Sequence, residues 1–307
     1  MSSPSRDYGV GVALVLFSSV VWGTTGTAAT FAPQVGPAAI GAAAMGIGGL
    51  LQALLAGPRI VRALPVLARN WRLLVLGGVA VAIYPLAFYA SMRLAGVTIG
   101  TVVTIGSAPL LSSLIEYVFD GARLSRRWLA GAPLGLLGMA LLCMAGDGGR
   151  QLGEGSTILG IGLGLLGGLT YALYSWTARR VMLRGIGSRV AMGATFGIGG
   201  LLLMPVLAAT GGPLLASWNN AAVGAYMALV PMFLGYVCFG AALARIPAST
   251  ATTITLIEPV VAAMLAILVV GERLPPPGWA GVVLVVSCLI VIAMPTRAGT
   301  SAGRAAA

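Results

Sequence analysis

Long apolar runs, separated by short polar segments, dominate the chain from one end to the other. Each run holds about 20 residues, the length that an α-helix needs to cross the hydrocarbon core of a bilayer. The runs carry few charged residues, whereas the segments between them are rich in arginine, glycine and proline. This pattern predicts ten membrane-spanning helices, at 8–29, 37–57, 73–95, 97–118, 129–146, 157–178, 190–210, 221–244, 248–270 and 278–294.

Composition supports an all-α integral membrane protein. Hydrophobic residues make up 58% of the 307 residues and charged residues only 8%, whereas a soluble domain carries about 25% charged residues. The net charge is +11, and all 18 basic residues are arginines that cluster in the segments between apolar runs. Topology explains this placement better than a nucleic-acid partner, because cytoplasmic loops of membrane proteins are rich in basic residues.

The distribution of arginine also predicts an orientation. With the N-terminus in the cytoplasm, 15 arginines fall on the cytoplasmic side, and the outer side keeps Arg93, Arg150 and Arg273. We therefore expect a multi-pass protein of the bacterial inner membrane with both termini in the cytoplasm. Its expected partners are the lipid bilayer and a small-molecule substrate.

The two halves of the chain resemble one another. Moving the ninth run back by 150 positions places Pro259 on Pro109, with further matches on either side. This offset predicts two copies of one unit, at 1–150 and 151–307. Because each unit holds five spans, an odd number, the second must enter the membrane from the opposite side. Such inverted repeats are characteristic of secondary transporters, which bind substrate near the middle of the membrane.

Prolines interrupt the third, fourth, eighth and ninth runs. Each removes one backbone donor and leaves a carbonyl that must find another partner. Packing kinks are the structural alternative for a single proline, but the pattern in both halves favours hinges beside a cavity. The predicted hinges are Pro85, Pro109, Pro231 and Pro259.

Aromatic and hydroxyl side chains lie deep in several runs. A phenol surrounded by lipid tails needs a hydrogen-bond partner inside the protein or in a water-filled cavity. Core packing is the alternative for each ring, and a hydroxyl can simply bond the carbonyl one turn earlier. Together they predict a substrate cavity with aromatic walls, suited to small amphipathic solutes or organic cations. Its predicted members are Trp22, Tyr84, Tyr89, Thr101, Ser107, Tyr171, Tyr174, Trp176, Tyr236 and Thr255.

Only two of the seven acidic residues, Glu116 and Glu258, fall within predicted spans. A carboxylate inside the membrane is costly and marks a functional site by default. Glu258, near the middle of its helix, could bind a cationic group or a proton, or could have a structural role beside Pro259. Glu116 lies close to three arginines of the next loop, which favours a salt bridge.

Catalytic and metal-binding chemistry is poorly supported. The chain has no histidine, and its three cysteines, Cys143, Cys238 and Cys288, lie inside apolar runs without a metal-ligand spacing. We therefore expect no metal or cofactor. An intramembrane enzyme would need serine or threonine with Glu258 or an arginine, which is an uncommon arrangement.

Three glycines at four-residue spacing, Gly160, Gly164 and Gly168, share one face of the sixth run. Small residues at this spacing let two membrane helices approach closely. A nucleotide-binding loop does not explain them, because no soluble strand precedes them.

Several short motifs together resemble the drug/metabolite transporter superfamily, and specifically its EamA-type ten-helix exporters. The resemblance covers essentially the whole chain and rests on Trp22-Gly23, Glu258-Pro259-Val260-Val261, Gly271-Glu272-Arg273-Leu274 and Trp279-Ala280-Gly281. The first half departs from the pattern at Gly121-Ala122, where glycine-glutamate is common. The segments VGPAAIGAAAMG and GPRIVR resemble the branch of YddG-like aromatic and general amino-acid exporters.

The resemblance implies a basket of ten helices around a central cavity, in a monomer or a homodimer. It also implies export of amino acids, aromatic and other neutral ones, or of similar small metabolites by alternating access. Proton-coupled efflux of multiple drugs or organic cations through Glu258 is the alternative within the same superfamily.

Overall fold

Helices are the regular elements throughout the residues that the computed structural model describes, namely 4–95, 97–146, 154–270 and 275–293. No strand occurs within these ranges. The α-helices are α1 (Pro4–Gly23), α2 (Thr25–Thr30), α3 (Pro37–Gly41), α4 (Gly48–Arg69), α5 (Trp71–Ala95), α6 (Val97–Asp120), α7 (Arg126–Gly146), α8 (Glu154–Leu183), α9 (Ser188–Thr210), α10 (Trp218–Met227), α11 (Tyr236–Leu243), α12 (Ala248–Ile254), α13 (Glu258–Leu265) and α14 (Pro276–Ala293). Wider π-helical turns span Ala42–Ile47, Ala228–Gly235 and Ala266–Val270, and 3₁₀ turns span Gly212–Leu215 and Thr255–Ile257.

Eight helical stretches within the described ranges are long and apolar enough to cross a membrane. Their outer faces expose large aliphatic side chains such as Leu54, Ile158 and Leu268, each more than 70% exposed. Lipid tails solvate such side chains, so this exposure agrees with a multi-pass membrane protein. Helices α7 and α14 overlap the fifth and tenth predicted spans without being among these eight. The eight stretches are Arg6–Thr30, Pro37–Arg69, Trp71–Ala95, Gly100–Asp120, Thr157–Leu183, Ser188–Thr210, Trp218–Leu243 and Ala248–Val269.

Two helices extend into segments that the sequence pattern assigns to loops. Helix α4 continues through Arg59, Arg62 and Arg69, so that only Asn70 separates it from α5. Helix α8 likewise runs on to Leu183. The predicted loops were wrong here, because a helix can leave the apolar layer while long arginine side chains keep their charge in water.

Helix breaks concentrate around the predicted hinge prolines of the second half. Pro231 lies within the π-helical turn Ala228–Gly235, and Pro259 follows the 3₁₀ turn Thr255–Ile257. Without an N–H, Pro259 cannot continue the α-helical ladder, and Glu258 becomes the first residue of a new helix, α13. In the first half, Pro85 and Pro109 lie inside the continuous helices α5 and α6. Hinging at these positions stays a prediction.

The glycines of α8 bring this helix against α5 and α6. A Cβ on Gly160 would lie 2.6 Å from the backbone nitrogen of Ala95, and one on Gly164 would lie 2.9 Å from Ser91 Oγ. Ser91 Oγ donates a hydrogen bond to the Gly160 carbonyl oxygen at 2.7 Å. The close packing predicted from the glycine spacing is present at these positions.

Candidate functional site

A central cavity lies between helices from both halves of the chain, and the volume within it that a water-sized molecule can reach is about 40 Å³. Aromatic and apolar side chains form most of its wall, with one carboxylate among them. The lining residues are Trp22, Thr25, Gly41, Ala44, Met45, Tyr84, Pro85, Phe88, Tyr89, Tyr171, Met232, Tyr236 and Glu258.

The aromatic rings of the wall contact one another. The centroids of the Trp22 and Tyr236 rings lie 4.6 Å apart, and those of Tyr84 and Tyr171 lie 5.5 Å apart. Tyr84 also stacks on Phe88 at 5.9 Å with an angle of only 4° between the ring planes. Since each ring is held by its neighbours, the wall presents fixed aromatic faces to the cavity.

Hydrogen bonds behind the wall hold three of these rings. Trp22 Nε1 donates to the carbonyl oxygen of Pro231 at 2.9 Å. The Tyr171 hydroxyl donates to Thr255 Oγ1 at 3.2 Å. The hydroxyls of Tyr174 and Tyr236 lie 2.8 Å apart and share a hydrogen bond. These bonds use the indole N–H and three phenol hydroxyls within the protein, so the rings offer mainly their apolar faces to a ligand.

Two glycines make room for the wall. A Cβ on Gly235 would lie 2.7 Å from Trp22 Nε1, and one on Gly41 would lie 2.7 Å from the Tyr89 ring. Both distances are shorter than nonbonded contacts allow. Any larger residue at Gly235 or Gly41 would therefore displace a ring that lines the cavity.

Glu258 is the charged residue of the lining. It stands at the start of α13, directly after the 3₁₀ turn Thr255–Ile257. Among the described residues, none forms a hydrogen bond or an ion pair with its carboxylate. The break in the helix thus places an unpaired carboxylate against the aromatic wall.

The structure brings together most of the site residues predicted from the sequence. Trp22, Tyr84, Tyr89, Tyr171, Tyr236 and Glu258 line the cavity, and so does the predicted hinge Pro85. Tyr174 and Thr255 are fully buried behind the wall, where they bond Tyr236 and Tyr171.

The remaining three predicted residues lie elsewhere. Trp176 comes five residues after Tyr171 on α8, which places it about 7.5 Å further along the helix and on another side. Its Nε1 donates to Asp120 Oδ2 at 2.8 Å. Ser107 packs against Gly168, and Thr101 is half-buried on α6 without contributing to the cavity wall.

Sequence reasoning missed several lining residues. Phe88 comes one helical turn after Tyr84 on α5, and this spacing could have identified it. Met45 and Met232 lie on the π-helical turns Ala42–Ile47 and Ala228–Gly235, whose altered periodicity gives no signal in the sequence. Flexible methionines fit irregular apolar gaps of this kind.

Polar contacts join α6 to α12 at the end of the bundle where α6 ends and α12 begins, beside a pocket whose lining includes Ser113, Glu116 and Arg179. The salt bridge expected for Glu116 stays a prediction; its buried carboxylate accepts hydrogen bonds from the Ala248 N–H at 2.7 Å and from Ser249. A carboxylate at this place satisfies the free N–H groups at the start of α12. The ion pair next to it joins Asp120 to Arg180 at 2.8 Å.

A wider groove of about 870 Å³ lies at the other end of the α12–α13 span. It begins at Thr24, next to Thr25 of the central cavity, and extends along α10 to Leu265 and Val269. The Thr24 and Tyr226 hydroxyls are hydrogen-bonded there at 2.7 Å. The predicted motif Gly271–Leu274, which follows this groove in sequence, lies outside the described residues.

Comparison with known proteins adds a family and a fold. The profile of the EamA-like transporter family matches twice, at residues 9–144 and 158–294. The chain is 31% identical to an uncharacterized transporter, YwfM, of Bacillus subtilis over 92% of this chain and 93% of that one. It is 28% identical to a probable terminal-alkyne amino-acid exporter of Streptantibioticus cattleyicolor, over 59% of this chain and 61% of that one. A solved crystal structure with 20% identity shares the fold, with a TM-score of 0.73 over 92% of this chain and 95% of that chain.

Proposed function

The chain belongs to the EamA-like transporter family, and we propose that it exports amino acids, aromatic and other neutral ones, or similar small metabolites by alternating access. The observation that carries this proposal is the central cavity, whose aromatic walls surround the unpaired carboxylate of Glu258. Aromatic walls suit an apolar side chain, and a carboxylate suits an ammonium group. The relative described as a probable amino-acid exporter supports this choice of substrate.

The proposed architecture is ten spans in two inverted five-helix repeats, 1–150 and 151–307. The two separate matches to one family profile support a duplicated unit. An odd number of spans per unit would invert the second copy, and inverted copies place a substrate site between them. The arginine distribution supports an inner-membrane location with both termini in the cytoplasm.

Alternating access requires that the cavity open to one side at a time. At the end that is cytoplasmic in this orientation, Glu116 of α6 bonds the start of α12 and Asp120 pairs with Arg180 of α8. The groove beside Thr24 lies at the opposite end. Opening a path at the cytoplasmic end would separate α6 from α8 and α12, with Pro109 and Pro259 as the proposed hinges.

Efflux from proteoliposomes tests this function. Vesicles containing the purified chain are loaded with labelled phenylalanine, leucine or glutamate, and release is followed with and without a pH gradient. We expect release of phenylalanine and leucine to exceed that from empty vesicles, with little release of glutamate. Replacing Trp22 by Ala should abolish release because it removes part of the aromatic wall, whereas Y117F, on the exposed face of α6, should not.

Proton-coupled efflux of organic cations is a second candidate, favoured by the unpaired carboxylate of Glu258. It predicts no amino-acid release, gradient-dependent movement of an organic cation such as ethidium, and complete loss of transport in E258Q. Gradient-independent release of neutral amino acids would contradict it.

A further inference from the structure

Among the described residues, the charge that lines the cavity is negative, without a positive charge to balance it. Glu258 is the charged residue among the described residues that line it, and no arginine contributes to the wall. An amino acid carries two opposite charges, of which the ammonium can pair with Glu258. Its carboxylate meets no cation on the wall and shares the cavity with a like charge, which disfavours it.

The carboxylate of Glu258 is available for a ligand, whereas others are already used. Glu116 accepts hydrogen bonds at the start of α12, and Asp120 pairs with Arg180 and accepts from Trp176. Both lie outside the cavity lining. Only the Glu258 carboxylate combines a place in the cavity with the absence of a partner among the described residues.

Hydrogen-bond donors for a ligand carboxylate are also few. The Trp22 N–H is bonded to the Pro231 carbonyl, and the Tyr171 hydroxyl is bonded to Thr255. Tyr84 and Tyr89 retain hydroxyls without a hydrogen bond to a described residue. These hydroxyls are neutral donors. Each forms a weaker hydrogen bond with a carboxylate than a guanidinium or an ammonium group would.

The aromatic faces favour a cation in the same place. Trp22, Tyr84, Tyr89, Tyr171 and Tyr236 all line the cavity together with Glu258. The negative face of an aromatic ring attracts an ammonium group, and more strongly when water is excluded. A protonated amine can therefore bind the carboxylate while it contacts the rings, and an apolar substituent can fill the rest of the wall.

We propose that this cavity recognises a primary ammonium group with an apolar substituent and does not require the carboxylate of an amino acid. The inference rests on the proposed function and narrows its substrate class. Primary amines, amino-acid amides and amino acids then form one series of ligands, in which the amine is essential.

Calorimetric binding to the purified chain tests this with three ligands that share one phenyl group. Phenylalanine carries both charges, 2-phenylethylamine only the ammonium, and 3-phenylpropionate only the carboxylate. We expect the amine to bind within about threefold of phenylalanine or tighter. The acid should bind at least about tenfold more weakly, because it lacks a charge-assisted bond to Glu258.

Variants of Glu258 assign this preference to its carboxylate. E258Q should weaken the binding of both amine ligands at least about tenfold while leaving the weak binding of 3-phenylpropionate unchanged or improved. E258D should retain part of the amine preference, and Y117F should match the unmodified chain. A general loss of packing in a variant would weaken the binding of all three ligands alike. The comparison of the three ligands on the unmodified chain does not depend on whether a variant folds.

The outcomes separate this inference from the proposed function. Binding of phenylalanine with at least about tenfold weaker binding of 2-phenylethylamine would overturn the inference and leave amino-acid export intact. Equal binding of 3-phenylpropionate, or an unchanged preference in E258Q, would overturn it too. Failure of all three ligands to bind, with no amino-acid release from proteoliposomes, would overturn both.

Discussion

At the scale of single residues, the cavity depends on small side chains as much as on large ones. Trp22 reaches Pro231 only because Gly235 has no Cβ in the path of its indole. Gly41 likewise leaves space for the Tyr89 ring because it has no Cβ. The positions of the rings in the aromatic wall therefore depend on glycines in the backbone behind them. Adding a single methyl group at one of these glycines should change the shape of the wall.

Replacing Gly235 by Ala should displace the Trp22 indole and break its bond to the Pro231 carbonyl. Overpacking of this kind costs about 1–3 kcal/mol. We expect a lower melting temperature and weaker binding of 2-phenylethylamine, measured by thermal unfolding and calorimetry. Gly57→Ala is the matched control, because a Cβ at that glycine would have nothing within 4 Å. Equal ligand binding in the two variants would contradict this role of Gly235.

Glu116 allows a prediction about stability alone. E116A would leave the buried N–H groups of Ala248 and Ser249 without an acceptor, and an unsatisfied buried group costs about 1–3 kcal/mol. E116Q keeps an oxygen acceptor and should retain most of the stability. Thermal unfolding of both variants checks this, and equal melting temperatures would argue that the hydrogen bonds at the start of α12 contribute little.

At the scale of helices, α8 packs against α5, and both helices contribute to the cavity wall. It carries Tyr171 and packs along both α5 and α6 through its glycine face. Hydrocarbon solvent provides little hydrophobic drive for this association, so close backbone approach and van der Waals contact must provide it. The spacing of the α8 glycines thus controls the distance between Tyr171 and Tyr84.

Two glycines of α8 offer a matched test of this packing. A Cβ on Gly164 would meet Ser91 and Val103, whereas one on Gly162 would have nothing within 4 Å. Gly164→Val should lower stability by about 1–3 kcal/mol through overpacking. Gly162→Val carries the same side chain on the same helix and should be close to neutral. Thermal unfolding in detergent measures the difference, and equal destabilisation would point to helix propensity instead of packing.

At the scale of the whole molecule, the contacts of Glu116 and Asp120 lie at one end of the bundle, and the groove beside Thr24 lies at the other. The connection between α6 and α7 lies at the end that holds Glu116 and Asp120, and the 3₁₀ turn Gly212–Leu215 lies on the opposite side of the membrane in the proposed topology. Residues near these two connections should therefore face different compartments.

Cysteine labelling in cells tests that topology. Leu124 and Leu215 are both exposed and lie in connections of opposite predicted sides. In a background without Cys143, Cys238 and Cys288, a membrane-impermeant maleimide should label L215C in intact cells. It should label L124C only after the membrane is permeabilised. Labelling of both variants in intact cells, or the reverse pattern, would contradict the proposed orientation.

The sequence by itself determined that this is a helical membrane protein, and it identified many of the residues that line the central cavity. Apolar runs of membrane length could become only helices, because a bilayer offers no partner for backbone polar groups. Deep aromatic residues and one mid-span glutamate pointed to a cavity, and Trp22, Tyr84, Tyr89, Tyr171, Tyr236 and Glu258 do line it. The cost of burying polar groups in hydrocarbon acts on each residue separately, so it can be recognised without knowing any neighbour.

Only the tertiary structure decided which polar groups meet. Trp176 and Tyr171 lie on one helix, yet one bonds Asp120 and the other faces the cavity. Glu116 is a second example, since it bonds the start of α12, which is more than 130 positions away in the sequence. Met45 and Met232 reach the cavity because π-helical turns rotate them there. Such pairings depend on helix rotation and on distant contacts, which local residue patterns do not specify.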